Sequence, residues 1–398
     1  MRRLILVFWV VAGGALAAPA FGQTCDISPA SEDFKWEQVE DGIDYATWSS
    51  PADAKKQRGP LFAHVLRVDL SDNALTLRSL RPLGRSQRIE QIAQFFRDGG
   101  VDVRAGINGD YFDFLQLEKD PLGMHVSGGQ LLHFPAKTSS FVIDEENRAH
   151  IGVYDLSAQL ASGDTKCAVN GAGRKAAADE AILWSGYYSD ETLPQPGCSS
   201  LNLARTELTA MLNSTVSLTS AGTVGAGKPV KIAPKDFALV VCGKAATCVS
   251  RIKKGDSVTL DVKVKGFPKT VMEAISGGPR VLRQGTVVEE SGKEGFSMAW
   301  KFYIPRAHPR TAVGSSEDGK TVYLFVGEGR VKRSDGVTAV QAGCILKAAG
   351  ASDAMLFDGG GSAVMMVGNG FKNVPRKGKT FTARDLANML GVVRLRKQ

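Results

Sequence analysis

Alternation of apolar and polar positions dominates this chain. Two period-two runs, in "LFAHVLRVDLSDNALTLRSLRP" (Leu61 to Pro82), are broken at Ser71-Asp72-Asn73 and predict two strands joined as a hairpin. Upstream, "FKWEQVEDGIDYATWSS" alternates enough for an edge strand pair. The period then changes. In "RIEQIAQFFRDGG", Ile89, Ile92, Phe95 and Phe96 recur at helical spacing, and Gly99-Gly100 supplies the stop. "VRAGING" reads as a buried strand entering a turn. From about residue 122 to 290, short strands separated by glycine and polar turns predominate, among them "GMHVSGGQLLH", "KDFALVVCG" and "DSVTLDVKV". A second helix is predicted at "AVQAGCILKAAG", capped by Thr338 or Asp335, ended by Gly350, and feeding the strand "AMLF". The pattern predicts an α+β fold: a strand-rich mixed-sheet core with a few helices in one large domain, not a doubly wound sheet.

The first residues follow another logic. Arg2 and Arg3 precede the apolar run Leu4 to Ala18 and small residues around Ala20 and Gly22. That predicts a signal peptide over residues 1–22, an N-terminal extension over 23–60 and the main domain over 61–398, hence a secreted or periplasmic protein with no membrane insertion after cleavage. The six cysteines, Cys25, Cys167, Cys198, Cys242, Cys248 and Cys344, all follow the cut and fit disulfides in an oxidising compartment. Spacing favours Cys242 with Cys248 and Cys167 with Cys198, leaving Cys344 as a buried thiol. The net charge of +8 is scattered, which suits anionic partners such as carbohydrate or phosphosugar polymers. No nucleic-acid motif is present.

Chemistry concentrates in three glycine-punctuated segments. "AGINGDYFDF" ends a strand at Ile107 and sets Asn108, Gly109 and Asp110 in a turn, with Asp113 beyond. "RAHPRTAVG" offers His308, Arg310 and Thr311, where an arginine can present a planar fork to phosphate or carboxylate. "LFDGGGSAV" places Asp358 before Gly359, Gly360, Gly361 and Ser362, a turn whose bare N–H groups can cradle an anion. It matches neither phosphate-loop nor dinucleotide spacing. No cofactor is expected. Several carboxylates close to a glycine turn could hold a divalent cation, though no ligand spacing is diagnostic.

Taken in order, "INGDYF", "PLGMHVSGGQL", "GGPRVLRQG", "HPRTAVG" and "GASDAMLFDGGGSAVMMV" resemble the phosphodiester glycosidase family. The resemblance runs from about Leu61 to the C-terminus. It departs at Asp110, where a small residue is usual, at Glu328, where aspartate is common, and at Gln341, where the helix often carries an acid. It implies a hydrolase acting on a sugar-1-phosphodiester in envelope polysaccharide or glycoconjugate, like bacterial relatives linked with exopolysaccharide. Glycosyl transfer ordinarily uses two carboxyl groups. Asp358 is then the nucleophile, base or charge stabiliser, and Glu328 or Asp110 the second carboxylate. Arg310, with the glycine N–H groups and Ser362, would hold the phosphate. Asn108 would bond a sugar hydroxyl or orient Asp358, with Gly109, Thr311 and His308 in support and Trp300 and Tyr303 as stacking candidates. The alternatives are a glycosidase or lyase on an unphosphorylated polymer, and a polysaccharide-binding or assembly protein without catalysis.

Overall fold

The computed structural model describes residues 22–82, 87–112, 121–187, 189–205, 207–225, 227–296, 303–373 and 383–395. Asp113, Trp300 and nearly all of the predicted signal peptide lie outside the described residues.

Four sheets carry the fold. The first orders its eight strands Glu37–Glu40, Ile43–Ser50, Leu61–Asp69, Thr321–Gly327, Arg310–Ser315, Asp353–Leu356, Arg280–Arg283 and Thr286–Val287. It is covered on both faces, which explains the nearly unbroken apolar run of Thr321–Gly327. One face meets the helix Ala339–Ala349, and the other meets a four-stranded core of a second sheet, Met365–Val367, Asp102–Asn108, Met389–Arg394 and Leu75–Leu80, edged by the short strand Gly370–Phe371. A five-stranded sheet holding His125–Ser127 and Val271–Ser276 closes one side. Most of residues 156–264 form a further eight-stranded sheet with its own core.

The fold is mostly β, so the α+β expectation is corrected while its strand-rich core holds. The two longest helices among the described residues are Ile89–Asp98 and Ala339–Ala349. In the second, the Thr338 hydroxyl accepts the Gln341 N–H (3.1 Å), and the Gln341 side chain accepts the Thr338 N–H (2.9 Å), a reciprocal N-terminal cap. Gly350 ends it at φ +114°. In the first, Ile89 and Ile92 are buried, but Phe95 is 49% exposed.

The Leu61–Pro82 stretch corrects a second expectation. Both strands exist, but they do not pair. Leu61–Asp69 lies between Ile43–Ser50 and Thr321–Gly327, whereas Leu75–Leu80 pairs with Met389–Arg394. The turn carries the chain from one layer to the next, and Leu66, Val68, Leu75 and Leu77 meet face to face in a shared core. Residues 23–60 are joined to the main domain, since Ile43–Ser50 runs antiparallel to Leu61–Asp69 along its whole length.

The cysteines pair as Cys25–Cys344, Cys167–Cys248 and Cys198–Cys242. Cys198 and Cys242 are cross-strand partners, while a helical turn carries Cys248 away from Cys242. Cys344 is therefore no free thiol. It ties its helix to the N-terminal segment, where Gln341 also bonds both carboxylate oxygens of Asp26 (3.0 Å each). Three disulfides fit an exported protein. No helix among the described residues is long and apolar enough to cross a membrane.

Candidate active site

The glycine turn is where the chain leaves the first sheet for the second. Asp353–Leu356 pairs with Arg310–Ser315, and after the turn Met365–Val367 pairs with Asp102–Asn108. Asn108 clamps this crossing. Its Nδ2 donates to the Asp358 carbonyl (2.6 Å), and its Oδ1 accepts from the Thr311 hydroxyl (2.7 Å) and the Val364 N–H (3.1 Å). Of the two roles expected for Asn108, the geometry displays the orienting one. The Asp358 N–H donates to the Gly109 carbonyl (3.0 Å).

Backbone proximity accounts for the glycines. A Cβ on Gly359 would lie 2.7 Å from the Pro309 oxygen, and Gly360 sits at φ +59°. A Cβ on Gly109 would lie 2.2 Å from Ile275 Cδ1. The cradle is smaller than expected: the Gly360 N–H donates to Pro309 (2.8 Å) and the Ser362 N–H to Gly359 (3.1 Å). Gly361 lies at the partly exposed tip.

Asp358 is buried, and its Oδ2 has no hydrogen-bond partner among the described residues. Burial raises its pKa to about 6, against the lowering effects of the Ser362 side chain, the Arg384 charge and the Gly359 N–H. Asp110 is buried too, and Gly123 N–H donates to its Oδ2 (2.9 Å). Burial lifts it to about 7, opposed by the N–H groups of Gly123 and Tyr111 and reinforced by the negative charge of Asp358. The Asp358 N–H bond to the Gly109 carbonyl thus sets Asp358 beside the Asp110 segment, and the Asp358 charge acts on Asp110. The Asn388 Oδ1, accepting the Asp110 N–H (2.8 Å), fixes the second of them.

Glu328 has a different setting. Arg333 grips it with Nε (2.6 Å) and Nη2 (2.7 Å), and His64 Nε2 lies 3.1 Å away. Burial works to raise its pKa, but the bonds from Arg333 and His64 outweigh it and hold the group at about 2. A carboxylate so held is a poor proton carrier, so of the two candidates for second carboxylate the geometry favours Asp110.

Arg310 is 1% exposed, and its Nε and Nη2 are bonded to main-chain carbonyls. Its Nη2 donates to the carbonyls of Tyr303 (2.8 Å), Ile304 (2.9 Å) and Arg306 (2.9 Å), and Nε to Val337 (3.3 Å). Through Nε and Nη2 Arg310 braces residues 303–306 over the turn. The cations that reach the turn are others. Arg330 Nη2 would lie 3.6 Å from a Cβ on Gly360, and it donates to His308 Nδ1 (3.2 Å). Arg384 Nη1 lies 3.5 Å from Ser362 Oγ. Tyr303 stacks on His308 (4.2 Å between centroids) and beneath the Arg310 guanidinium (4.5 Å), with its hydroxyl edge toward Gly359 and Gly360. Burial first, then Arg310, Arg330 and Arg306, lowers His308 to about 4, so it is neutral at pH 7 and accepts from Arg330.

Sequence reasoning missed Arg330, Arg384 and Asn388. Arg330 adjoins Glu328 in "VGEGR", a detectable signal; Arg384 and Asn388 carry none. Among the described residues, no three His, Cys, Asp or Glu are grouped to hold a metal ion.

A family model described as phosphodiester glycosidase matches residues 209–393, which include Asp358, Arg310, Arg330 and Arg384. No curated protein sequence matches the chain. Among solved structures, a hypothetical protein from Synechocystis is similar at TM-score 0.70 and 17% identity, over 91% of this chain and 64% of that one. A Burkholderia pseudomallei protein described as a candidate exported protein gives 0.63 and 18%, over 84% and 74%. The catalytic domain of zebrafish N-acetylglucosamine-1-phosphodiester alpha-N-acetylglucosaminidase, auto-inhibited by its pro-peptide, gives 0.49 and 13%, over 93% and 87%. The chain thus spans just under two thirds of the Synechocystis protein, and at these identities the structural likeness concerns fold. Over residues 209–393 this chain is similar to the phosphodiester glycosidases, the family that the motifs resemble.

Proposed function

We propose that the chain is an exported hydrolase that cleaves a sugar-1-phosphodiester in an envelope polysaccharide or glycoconjugate. The observation that carries this reading is the buried Asp358–Asp110 pair, raised to about 6 and about 7, beneath a rim holding Arg330 and Arg384. At a pH between these two values Asp358 is mostly ionised while Asp110 mostly keeps its proton. One member is then an ionised base or charge stabiliser while the other keeps a proton.

In the proposed step, a water oxygen attacks the anomeric carbon and its proton passes to the ionised carboxylate. The bond from that carbon to the phosphate oxygen breaks, and its electron pair leaves with the phosphate. Arg330 and Arg384 stabilise the charge that collects there. Arg310 supports the site through the loop it braces. A leading signal peptide, removed on export, would place the enzyme outside the cytoplasm with its disulfides formed.

The reading is tested by incubating the purified protein with a glycosyl phosphodiester and with the matching neutral methyl glycoside. The expected products are a free sugar and a phosphate monoester from the first, with far slower cleavage of the second. Equal rates on both would favour a glycosidase indifferent to phosphate. Polymer binding with no new reducing ends from any substrate would favour a binding protein.

A further inference from the structure

Glu328 begins a ten-residue loop, 328–337, and three sets of contacts fasten that loop. The Glu328 carboxylate takes both Arg333 donors, and its N–H donates to the Phe62 carbonyl (2.9 Å). The Ser334 hydroxyl donates to the Glu328 carbonyl (2.7 Å) and accepts the Phe62 N–H (3.2 Å). Val331 and Ser334 bond each other both ways (3.1 and 3.0 Å), and Asp335 N–H donates to Pro60 (3.0 Å). Arg330 lies within this clip, in the left-handed region at φ +61°, exposed and turned toward Gly360 and His308. The Arg333 guanidinium packs over the Phe62 ring (4.2 Å), so the carboxylate's partner is itself seated. Behind Glu328, His64 Nε2 bonds its carboxylate while Nδ1 lies 2.7 Å from the Tyr45 hydroxyl.

We propose that Glu328 is a positioning residue that fixes Arg330 over the glycine turn by closing the 328–337 loop through its bidentate pair with Arg333. The proposal rests on the reading that Arg330 receives the substrate's phosphate. It gives the buried carboxylate a role in anion recognition without proton transfer. Arg330's own N–H reaches the Asp335 carbonyl only at 3.4 Å, and the Glu328–Arg333 tie is the charged contact that closes the loop on either side of it.

The test compares Glu328→Gln, Arg333→Met, Arg330→Met and the double variant Glu328→Gln/Arg330→Met, each confirmed as folded by circular dichroism. Arg333→Met breaks the same tie from its half-exposed side and serves if Glu328→Gln does not fold. On a glycosyl phosphodiester, Glu328→Gln and Arg333→Met should each raise KM about tenfold with kcat within about twofold, as loss of a charge-assisted contact would. The double variant should be no worse than Arg330→Met alone. Calorimetric titration with inorganic phosphate should show the same ranking. Losses that multiply in the double variant, or a fall in kcat at unchanged KM, would overturn the proposal and return Glu328 to the chemistry. Phosphate binding that Glu328→Gln leaves unchanged would also overturn it, while leaving the phosphate reading intact. Failure of the unaltered protein to bind phosphate would overturn that reading, and this proposal with it.

Discussion

Asp358 and Glu328 are both buried carboxyl groups just past the strands that flank Arg310–Ser315, yet they are driven in opposite directions. Asp358 has one oxygen unpartnered among the described residues and rises to about 6, and its neighbour Asp110 rises to about 7. Glu328 is more heavily bonded and falls to about 2. Burial alone pushes all three upward. What separates them is the guanidinium directly on Glu328, whereas the arginines around Asp358 bond a serine, a histidine and main-chain carbonyls. A buried carboxylate held by its own cation is set for structure, and one left partly unpaired beside a second acid is set for proton traffic.

The largest expected effect falls on Asp358. Asp358→Asn should lower kcat on a glycosyl phosphodiester by about 10³-fold with an unchanged far-ultraviolet spectrum. Activity within a few-fold of the original would place it with Glu328 as a structural group. Next come the arginines. Arg310→Met leaves four carbonyl bonds unmade and should cost about 3 kcal/mol in a urea melt. Arg330→Met should leave the melt almost unchanged and raise KM about tenfold, near 1.4 kcal/mol. An Arg310 variant that melts normally but no longer binds phosphate would restore the fork predicted from sequence.

The smallest effect concerns pH and stability. Asp110 and Asp358 have folded-state pKa values above the usual carboxylate range, so their protonated forms favour the fold. That contribution is complete below about pH 4 and is lost as pH rises through 6 to 7. Asp110→Asn should therefore be more stable than the parent at pH 8, by on the order of 1 kcal/mol, with the advantage gone at pH 4. Glu328 has the reverse sign: its stabilisation is present above about pH 4.3 and is lost as pH falls through about 2. A melting-temperature series for Asp110→Asn and Glu328→Gln across this range should show opposite slopes, and parallel slopes would erase the distinction.

Much of the fold was legible because alternation and helical spacing report which face is buried. The Ala339–Ala349 helix, with Thr338 and Gly350 at its ends, follows from local chemistry alone. Pairing was not legible. Leu61–Asp69 and Leu75–Leu80 read as a hairpin because their separation is short, but Leu61–Asp69 is flanked by Ile43–Ser50 and the distant Thr321–Gly327, and Leu75–Leu80 pairs with the distant Met389–Arg394. The disulfides failed for the same reason, since sequence proximity of Cys242 and Cys248 carries no information about direction. In the site, Asp358 was legible through its glycines, which a close crossing demands. For Arg310 the sequence showed the residue but not the carbonyls of residues 303–306 that its Nη2 bonds, because those depend on how the loop folds back.

The central claim is that Asp358 and Asp110 both titrate near neutral pH, and carbon-13 nuclear magnetic resonance of aspartate carboxyls tests it most directly. The account predicts two carboxyl signals that titrate near pH 6 and 7, with Asp358→Asn removing one and shifting the other downward. Titration of every aspartate below about pH 4.5 would contradict it.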